Sequence, residues 1–330
     1  YDITGVDGRP RKNNGGKIDA QTAFRGSSPG AEVGPYLSQF MLLGNKTVAD
    51  TGSVTDGIIR YGAQCIDQRV PVALSMNFMT DDKEWLKVQN GADTRDGMEK
   101  ELFGSPEKVK YRFISTPRDL ATYVHDDALY QAYLNACLIL LGMKAPLDSG
   151  FDNLSGGGKF FFNSINRDND VLTRKRETHD RAAGGFALWG GPHILTLVTE
   201  VATRALKAVR YQKFNNHCRL RPEALAGRIE KAGEIVKSFP KAGNLFQQLE
   251  TSIEATVAEI KKQNKSGSKY LPMAFQEGSP MHPAYGAGHA TVAGACVTIL
   301  KAFFDTSAVL VNRKGLITFS RLEKGDEAIA

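Results

Sequence analysis

The sequence predicts a mainly α protein, built as helix bundles and preceded by an irregular N-terminal arm. Apolar residues recur at helical spacing in several long segments, and no convincing β alternation of any length is present. The first 60 residues are instead rich in Gly, Ser and Asp and show little periodic pattern. We therefore expect an extended arm over 1–60 and one α-helical domain over 61–330.

Five segments carry the helical pattern. Apolar residues three and four positions apart predict helices at about 120–138, 192–221, 223–238, 242–263 and 289–304. Pro192 suits the first turn of the second helix, and Pro222 ends it because the residue before a proline is disfavoured in the α conformation. Small residues such as Ala293 and Gly294 line the last helix, so a neighbouring backbone can approach it closely.

The composition excludes several classes of protein. Of the 330 residues, 42% are hydrophobic and 24% are charged, as is ordinary for a globular chain. No apolar run approaches the roughly 20 residues of a membrane span, so we expect no membrane partner. The net charge of +6 favours anionic partners, but the basic residues lack the aromatic pattern of a nucleic-acid-binding protein. The four cysteines are too widely spaced for a disulfide scaffold or a zinc site, and they leave the compartment open, secretion or a periplasmic location included.

The first chemically informative pattern is a pair of cations eight residues apart, Lys213 and Arg221. On an ideal helix they would lie about 80° apart around the axis and roughly 12 Å apart along it. Pro222 bends the chain at that point, so both side chains could converge on one small anion, with the ammonium as a point charge and the guanidinium as a planar fork. The alternative is a solvated basic face, because Arg204 and Arg210 continue the same positive run.

The second pattern is a Gly- and Pro-rich loop that carries two histidines, His282 and His289, and opens directly onto a predicted helix. Backbone N–H groups at a helix N-terminus bind anions, and flanking glycines such as Gly288 allow close approach. A histidine placed there can donate to an oxyanion or transfer a proton near neutral pH. The alternative is a loop with purely structural histidines.

The third pattern is an Asn- and Asp-rich stretch with Asn163, Asp168 and Asp170. Oxygen ligands separated by short polar steps suit a hard cation such as calcium. An ordinary Asn/Asp-rich turn explains the same residues equally well.

Taken together, the first two patterns resemble a known signature. Lys213 and Arg221-Pro222, followed by Gly288-His289, resemble the motif shared by vanadium-dependent haloperoxidases and type-2 phosphatidic acid phosphatases. The surrounding sequence is most similar to the algal and cyanobacterial bromoperoxidases. The stretch from Gly190 to Leu225 resembles their central helix, and the stretch from Gln276 to Tyr285 resembles their active-site loop.

The resemblance implies a helical fold of the vanadium haloperoxidase and acid phosphatase type, and a vanadate cofactor. It assigns Lys213, Arg221 and the N–H of Gly288 to vanadate binding, with Lys213 also polarising bound peroxide. His289 would be the acid/base group and would also bind vanadate through a hydrogen bond to its apical oxygen, and His282 would be the additional pocket histidine of bromoperoxidases. The implied reaction oxidises bromide or iodide with hydrogen peroxide to hypohalous acid, which halogenates small organic substrates.

The resemblance also implies a structural calcium site and a homo-oligomer, a dimer or larger. In this chain the calcium ligands would be the backbone carbonyl of Phe161 with the side chains of Asn163, Asp168 and Asp170. Without the resemblance, the turn interpretation of that stretch stays open.

Two features depart from the family pattern. Ala287 stands where the family carries a serine, so one hydroxyl that would bind an equatorial vanadate oxygen is missing. No histidine follows His289, although the family's vanadate-bonded histidine does. We expect the chain to stop before the last helices. Two alternatives remain: a phosphatase of the same superfamily, and a scaffold protein that has lost catalysis.

Overall fold

The computed structural model describes residues 58–61, 63–94, 102–112, 114, 117–142, 145–148, 191–313, 316–320 and 327–328. These residues form two compact units. Unit 1 contains the described residues up to Val70, those from Tyr111 to Lys207, and those from Gly288 onward. Unit 2 contains the described residues of Pro71–Lys110 and Ala208–Ala287. Of the predicted arm over 1–60, residues 1–57 lie outside the described residues, and the predicted domain boundary stays a prediction.

The described part of the chain is mainly helical, which confirms the predicted fold class. The helices are α1 (Asp82–Gln89), α2 (Pro117–His125), α3 (Gln131–Gly142), α4 (Gly191–Gln212), α5 (Pro222–Glu230), α6 (Ala232–Ser238), α7 (Pro240–Ser252), α8 (Glu254–Gln263) and α9 (Gly288–Phe303). A π-helical turn, Lys213–His217, continues α4. The strands are β1 (Ile58–Tyr61), β2 (Gln64–Asp67), β3 (Val70–Pro71), β4 (Tyr111–Arg112), β5 (Val309–Arg313), β6 (Leu316–Ser320) and β7 (Glu327–Ala328).

Two predictions about the elements are wrong in detail. Three of the predicted helical segments are each divided into two helices, at 126–130, at Lys231 and at Ile253. The second is an omission, since none of the short strands was predicted. Each has two to five residues, which is too short to show a clear alternation in the sequence.

Unit 1 is built around apolar side chains of α3, α4 and α9. Cys137 of α3, Ile194 and Val198 of α4, and Val292 and Cys296 of α9 are all fully buried in one cluster. The thiol of Cys296 lies 3.4 Å from the carbonyl oxygen of Val198, so the two helices approach closely at this point. The close approach predicted for the last helix thus occurs at Cys296, whereas Gly294 is exposed and an added Cβ there would meet no atom within 4 Å.

Two small antiparallel sheets accompany this core in unit 1. β1 pairs with β2 in the register Ile58↔Asp67, and Ile59 is buried against Leu138 and Ile139 of α3. β5 is the central strand of the second sheet and pairs with β6 and β7. None of the described helices combines the length and the apolar character that crossing a membrane requires.

Unit 2 packs α1 against the helices that follow the π-helical turn. The Trp85 ring of α1 lies against Tyr270, with a centroid distance of 5.4 Å. Its indole N–H donates to the Glu223 carbonyl oxygen of α5 at 3.0 Å. Gly227 lies beneath the indole, because a Cβ atom at that position would overlap the ring. The tryptophan thus fixes the first turns of α5, which carry the residues discussed below.

Gly227→Ala is expected to destabilise the protein by about 1–3 kcal/mol, because the added methyl group displaces Trp85 and strains its hydrogen bond. The matched control is Gly233→Ala in α6, where an added Cβ meets no atom within 4 Å. That control should raise stability by up to ~1 kcal/mol, since alanine favours helix. Urea unfolding of both variants checks the prediction, and equal effects of the two substitutions would contradict it.

Candidate functional site

Lys213 is placed by the π-helical turn that ends α4. The turn includes Lys213–His217, and Cys218 closes it in the left-handed region at φ 45°, with its N–H donating to the Lys213 carbonyl at 2.9 Å. Such turns insert an extra residue into a helix and often occur at functional sites. Lys213 is buried, with only 2% of its surface exposed. The interpretation of a solvated basic face is therefore wrong for Lys213.

Arg221 lies beyond the helix rather than on it, which corrects the predicted geometry. The residues from 218 to 220 are not helical, and Arg221 is extended, at φ −70° and ψ 153°, immediately before Pro222 opens α5. The angle and rise of an ideal helix therefore do not relate Lys213 to Arg221. Four non-helical residues, 218–221, separate the π-helical turn from α5, and Arg221 is the last of them.

The Lys213 ammonium contacts two neutral groups of the histidine-bearing loop. Its Nζ lies 3.2 Å from Nδ1 of His282 and donates to the Pro283 carbonyl at 3.0 Å. None of the described carboxylates forms an ion pair with it. Burial, followed by the positive charges of Arg221 and Arg210, lowers the pKa of Lys213. A buried cation without a counter-ion is costly, so this arrangement favours an anionic ligand.

The Arg221 guanidinium supports the same conclusion. Its Nε atom is buried, and no hydrogen-bond acceptor among the described residues reaches it. Buried N–H donors are nearly always satisfied. An unused donor on Arg221, whose positive charge also lowers the pKa of Lys213, favours an acceptor that the described residues do not supply. Lys213 and Arg221 therefore have the charge and the free donor that vanadate or phosphate requires.

His282 is held beside the lysine in its neutral form. Burial lowers the pKa of His282. The Pro283 carbonyl, 3.1 Å from Nδ1, acts in the opposite direction and raises this pKa. The positive charges of Lys213, Arg221 and Arg210 lower it further. The ammonium can only donate and the Pro283 carbonyl can only accept. Nδ1 therefore accepts from Lys213 when the ring proton lies on Nε2, and donates to the carbonyl when the proton lies on Nδ1. The predicted pocket histidine and the predicted lysine are in direct contact.

The lowered pKa predicts how stability depends on pH. Above its ordinary pKa of 6.5, His282 is neutral in both the folded and the unfolded chain. As the pH falls below 6.5, the unfolded chain binds a proton before the folded chain does. The free energy of unfolding therefore decreases until the pH has fallen below the lowered pKa of His282 in the folded chain. His282→Gln should remove this component of the loss. Urea unfolding of the vanadate-free protein between pH 5 and 8 checks it, and parallel stability curves for the two proteins would contradict it.

Gly288 and His289 begin α9 in unit 1, as the sequence predicts. The His289 side chain is 49% exposed, and its Nε2 lies 3.0 Å from Oδ2 of Asp127, whose side chain is only 6% exposed. Because Nε2 faces Asp127, Nδ1 is the ring nitrogen that can give or take a proton. That Gly288 and His289 act on the same anion as Lys213 stays a prediction.

Asp127 is the residue that the sequence analysis missed. It lies between α2 and α3, 162 residues from His289, and no local pattern marks it. Burial and the nearby Asp127 charge raise the pKa of Tyr123 to about 12, so that tyrosine stays neutral. The carboxylate is positioned to orient the His289 ring, as partners of catalytic histidines do.

The predicted calcium ligands Phe161, Asn163, Asp168 and Asp170 lie outside the described residues. Within the ranges that the structure describes, no group of three or more His, Cys, Asp or Glu side chains could hold a metal ion. The calcium site therefore stays a prediction.

Comparison with known proteins gives sequence relatives of one kind. The chain is 46% identical over 318 residues to a vanadium-dependent bromoperoxidase of Corallina officinalis, and 45% identical over 317 residues to that of Corallina pilulifera. It is 30% identical over 311 residues to a vanadium-dependent bromoperoxidase of Ascophyllum nodosum. These alignments cover 88%, 88% and 91% of this chain but 48%, 48% and 47% of the relatives. The chain thus spans about half the length of the curated relatives it matches.

A solved structure shares the fold. It is a homohexameric vanadate-dependent bromoperoxidase of Ascophyllum nodosum, with a TM-score of 0.55 and 23% sequence identity. The likeness covers 98% of this chain and 48% of that chain. No protein-family model matches the sequence.

Proposed function

We propose that this chain, a homologue of the vanadium-dependent bromoperoxidases, is a vanadate-dependent peroxidase. It oxidises bromide or iodide with hydrogen peroxide to hypohalous acid, which halogenates small organic substrates. One observation carries the proposal. A buried lysine without a carboxylate partner among the described residues lies beside His282, and Arg221 has a buried, unused donor.

The described cations fit the proposed cofactor. Lys213 would hold the oxyanion by its ammonium, and Arg221 by its Nε and the rest of its guanidinium fork. Vanadate, when bound, supplies a Lewis acid that activates peroxide for attack by halide. A desolvated ammonium of lowered pKa also polarises an oxygen more strongly than one in water, so Lys213 has a second role at the reacting oxygen.

The two histidines, His289 and His282, have different proposed roles. His289 would be the acid/base group, since Asp127 holds its Nε2 and leaves Nδ1 to give or take a proton. His282 stays neutral and holds the Lys213 ammonium at a defined point through Nδ1. Gly288 would add its backbone N–H at the start of α9.

Ala287 predicts weaker vanadate binding than a serine at the same position would give. The missing hydroxyl removes one hydrogen bond to a charged ligand, a loss of about 1.5–3 kcal/mol. The neighbouring cations are unaffected, so binding would be reduced rather than abolished.

Three further properties are proposed on the same relationship. The homohexameric neighbour supports a homo-oligomer. Phe161, Asn163, Asp168 and Asp170 are proposed as calcium ligands, and a secreted or periplasmic location is proposed for the protein. A phosphatase is the alternative activity, but the three bromoperoxidase relatives favour the peroxidase.

The test is a bromination assay with a phenol dye in the presence of orthovanadate, bromide and hydrogen peroxide. The proposal expects dye bromination that disappears after treatment with EDTA and returns with vanadate. Hydrolysis of p-nitrophenyl phosphate without any bromination would instead favour the phosphatase. Inactivity in both assays, from a folded protein, would favour the scaffold interpretation and overturn the proposal.

A further inference from the structure

We propose that Glu223 is a positioning residue, whose buried carboxylate holds the loop of residues 278–283 so that His282 and the Pro283 carbonyl meet the Lys213 ammonium. The inference rests on the proposed function, because it identifies what keeps the oxyanion-binding residues in place. All the residues involved belong to unit 2.

The carboxylate is nearly closed to solvent and binds the loop at one residue. Glu223 is 4% exposed. It accepts from the backbone N–H of Ser279 at 3.2 Å through Oε1 and from the Ser279 hydroxyl at 2.7 Å through Oε2. Both carboxylate oxygens of Glu223 thus accept from Ser279, which lies only three positions before His282.

The other side of Glu223 is fixed to the helix that follows Arg221. Glu223 is the second residue of α5, and its carbonyl accepts from the Trp85 indole at 3.0 Å. Arg221 lies two residues earlier, immediately before the helix. One residue therefore links the position of the guanidinium to the position of the histidine loop.

Gly278 allows the loop to approach this carboxylate. Its φ of +76° favours glycine, and a Cβ there would lie 2.7 Å from Sδ of Met79 and 3.4 Å from Oε1 of Glu223. A side chain at position 278 would therefore push the loop away. Glycine at position 278 thus permits the close approach of the loop to the Glu223 carboxylate.

A second attachment lies beyond the histidine. The Ala284 N–H donates to the Arg219 carbonyl at 3.0 Å, and the His282 N–H donates to the Pro280 carbonyl at 2.7 Å. The loop is therefore held at Ser279 and at Ala284, with His282 and Pro283 between the two points. Releasing the Ser279 end frees the segment that contacts Lys213.

A carboxylate suits this position better than an amide does. Both of its oxygens are acceptors, and both face donors of Ser279. No described cation forms an ion pair with Glu223, so its hydrogen bonds are what offset its burial. Glu223→Gln keeps the shape but removes the charge. Its amide oxygen can still accept from the Ser279 N–H, but its NH₂ group then donates to the Ser279 hydroxyl, so the charge-assisted hydrogen bond from that hydroxyl is lost.

The test compares Glu223→Gln, Ser279→Ala and the control Glu230→Gln in the full chain. Glu230 belongs to the same helix, and its carboxylate also accepts from a backbone N–H, that of Lys269 at 2.8 Å, but it does not bind the 278–283 loop. Two quantities are measured: the dissociation constant for orthovanadate by equilibrium dialysis, and the ¹⁵N chemical shift of His282 Nδ1 at pH 8 without vanadate.

We expect Glu223→Gln to weaken orthovanadate binding by roughly 10- to 100-fold, as loss of an outer-shell partner does at metal sites. The Nδ1 shift should change, because the ring no longer has a fixed position beside the Lys213 ammonium and the Pro283 carbonyl. Ser279→Ala should show both changes to a smaller degree. Glu230→Gln should show neither.

Unchanged affinity and an unchanged Nδ1 shift in folded Glu223→Gln would overturn the inference, as would equal changes in Glu230→Gln. If Glu223→Gln does not fold, Ser279→Ala decides, since it removes only a hydroxyl. If the unsubstituted protein binds no orthovanadate, the proposed function fails. In that case the Nδ1 shift still decides whether Glu223 positions His282.

Discussion

Lys213→Met is expected to reduce orthovanadate affinity by roughly 10- to 100-fold, because a hydrogen bond to a charged group contributes about 1.5–3 kcal/mol. The same substitution should not lower the free energy of unfolding. It replaces a buried cation that pairs with none of the described carboxylates by an apolar side chain of similar length. Loss of binding without loss of stability is the behaviour of a residue kept for its ligand.

Lys207→Met is the matched control, since Lys207 is an exposed lysine of the same helix, α4. Equilibrium dialysis with orthovanadate and urea unfolding measure the two quantities for both variants. Unchanged vanadate affinity in Lys213→Met would contradict the assignment of Lys213. A large loss of stability would show instead that the buried ammonium has a structural role.

His289→Ala is expected to lower the bromination rate by about 10²- to 10⁴-fold, the usual contribution of a general acid/base group. Asp127→Asn should give a smaller loss of the rate, because the ring remains but its orientation and protonation are no longer held by a carboxylate. Both substitutions should affect the rate at saturating peroxide more than they affect vanadate binding. The distinction separates proton transfer from cofactor binding.

Steady-state bromination assays at saturating vanadate measure these rates. His125→Gln is the control, because His125 is an exposed histidine of α2, two residues before Asp127. It should leave the rate unchanged. A full rate in His289→Ala would remove His289 from the mechanism, and an equal loss in His125→Gln would show that the effect is not specific.

The long helices were predictable because their apolar faces repeat over many residues. The face of α4 includes Ile194, Val198 and Ala202, all of which are buried as expected. The end of that helix was not predictable. Pro222 limits it, but the helix ends earlier, in the π-helical turn at Lys213, and the lysine of that turn contacts a loop 69 residues later. A local pattern contains no information about such a contact.

The candidate site was predictable only in part for the same reason. Charge and spacing marked Lys213 and Arg221, yet Arg204 and Arg210 belong to the same run of positive charge and are exposed. Burial separates them, and burial is a property of the folded chain. No local sequence pattern marks Asp127 or Glu223. Their roles come from contacts with His289 and Ser279, which lie far from them along the chain.

The proposed function assigns Lys213 and His289 to the binding of one oxyanion. Vanadium anomalous diffraction from crystals soaked in orthovanadate tests it most directly. We predict one strong peak, with the vanadate oxygens within hydrogen-bond distance of the Lys213 ammonium and of the His289 ring. A vanadium peak that contacts neither residue, or none at a vanadate concentration that saturates the protein in solution, would contradict the claim.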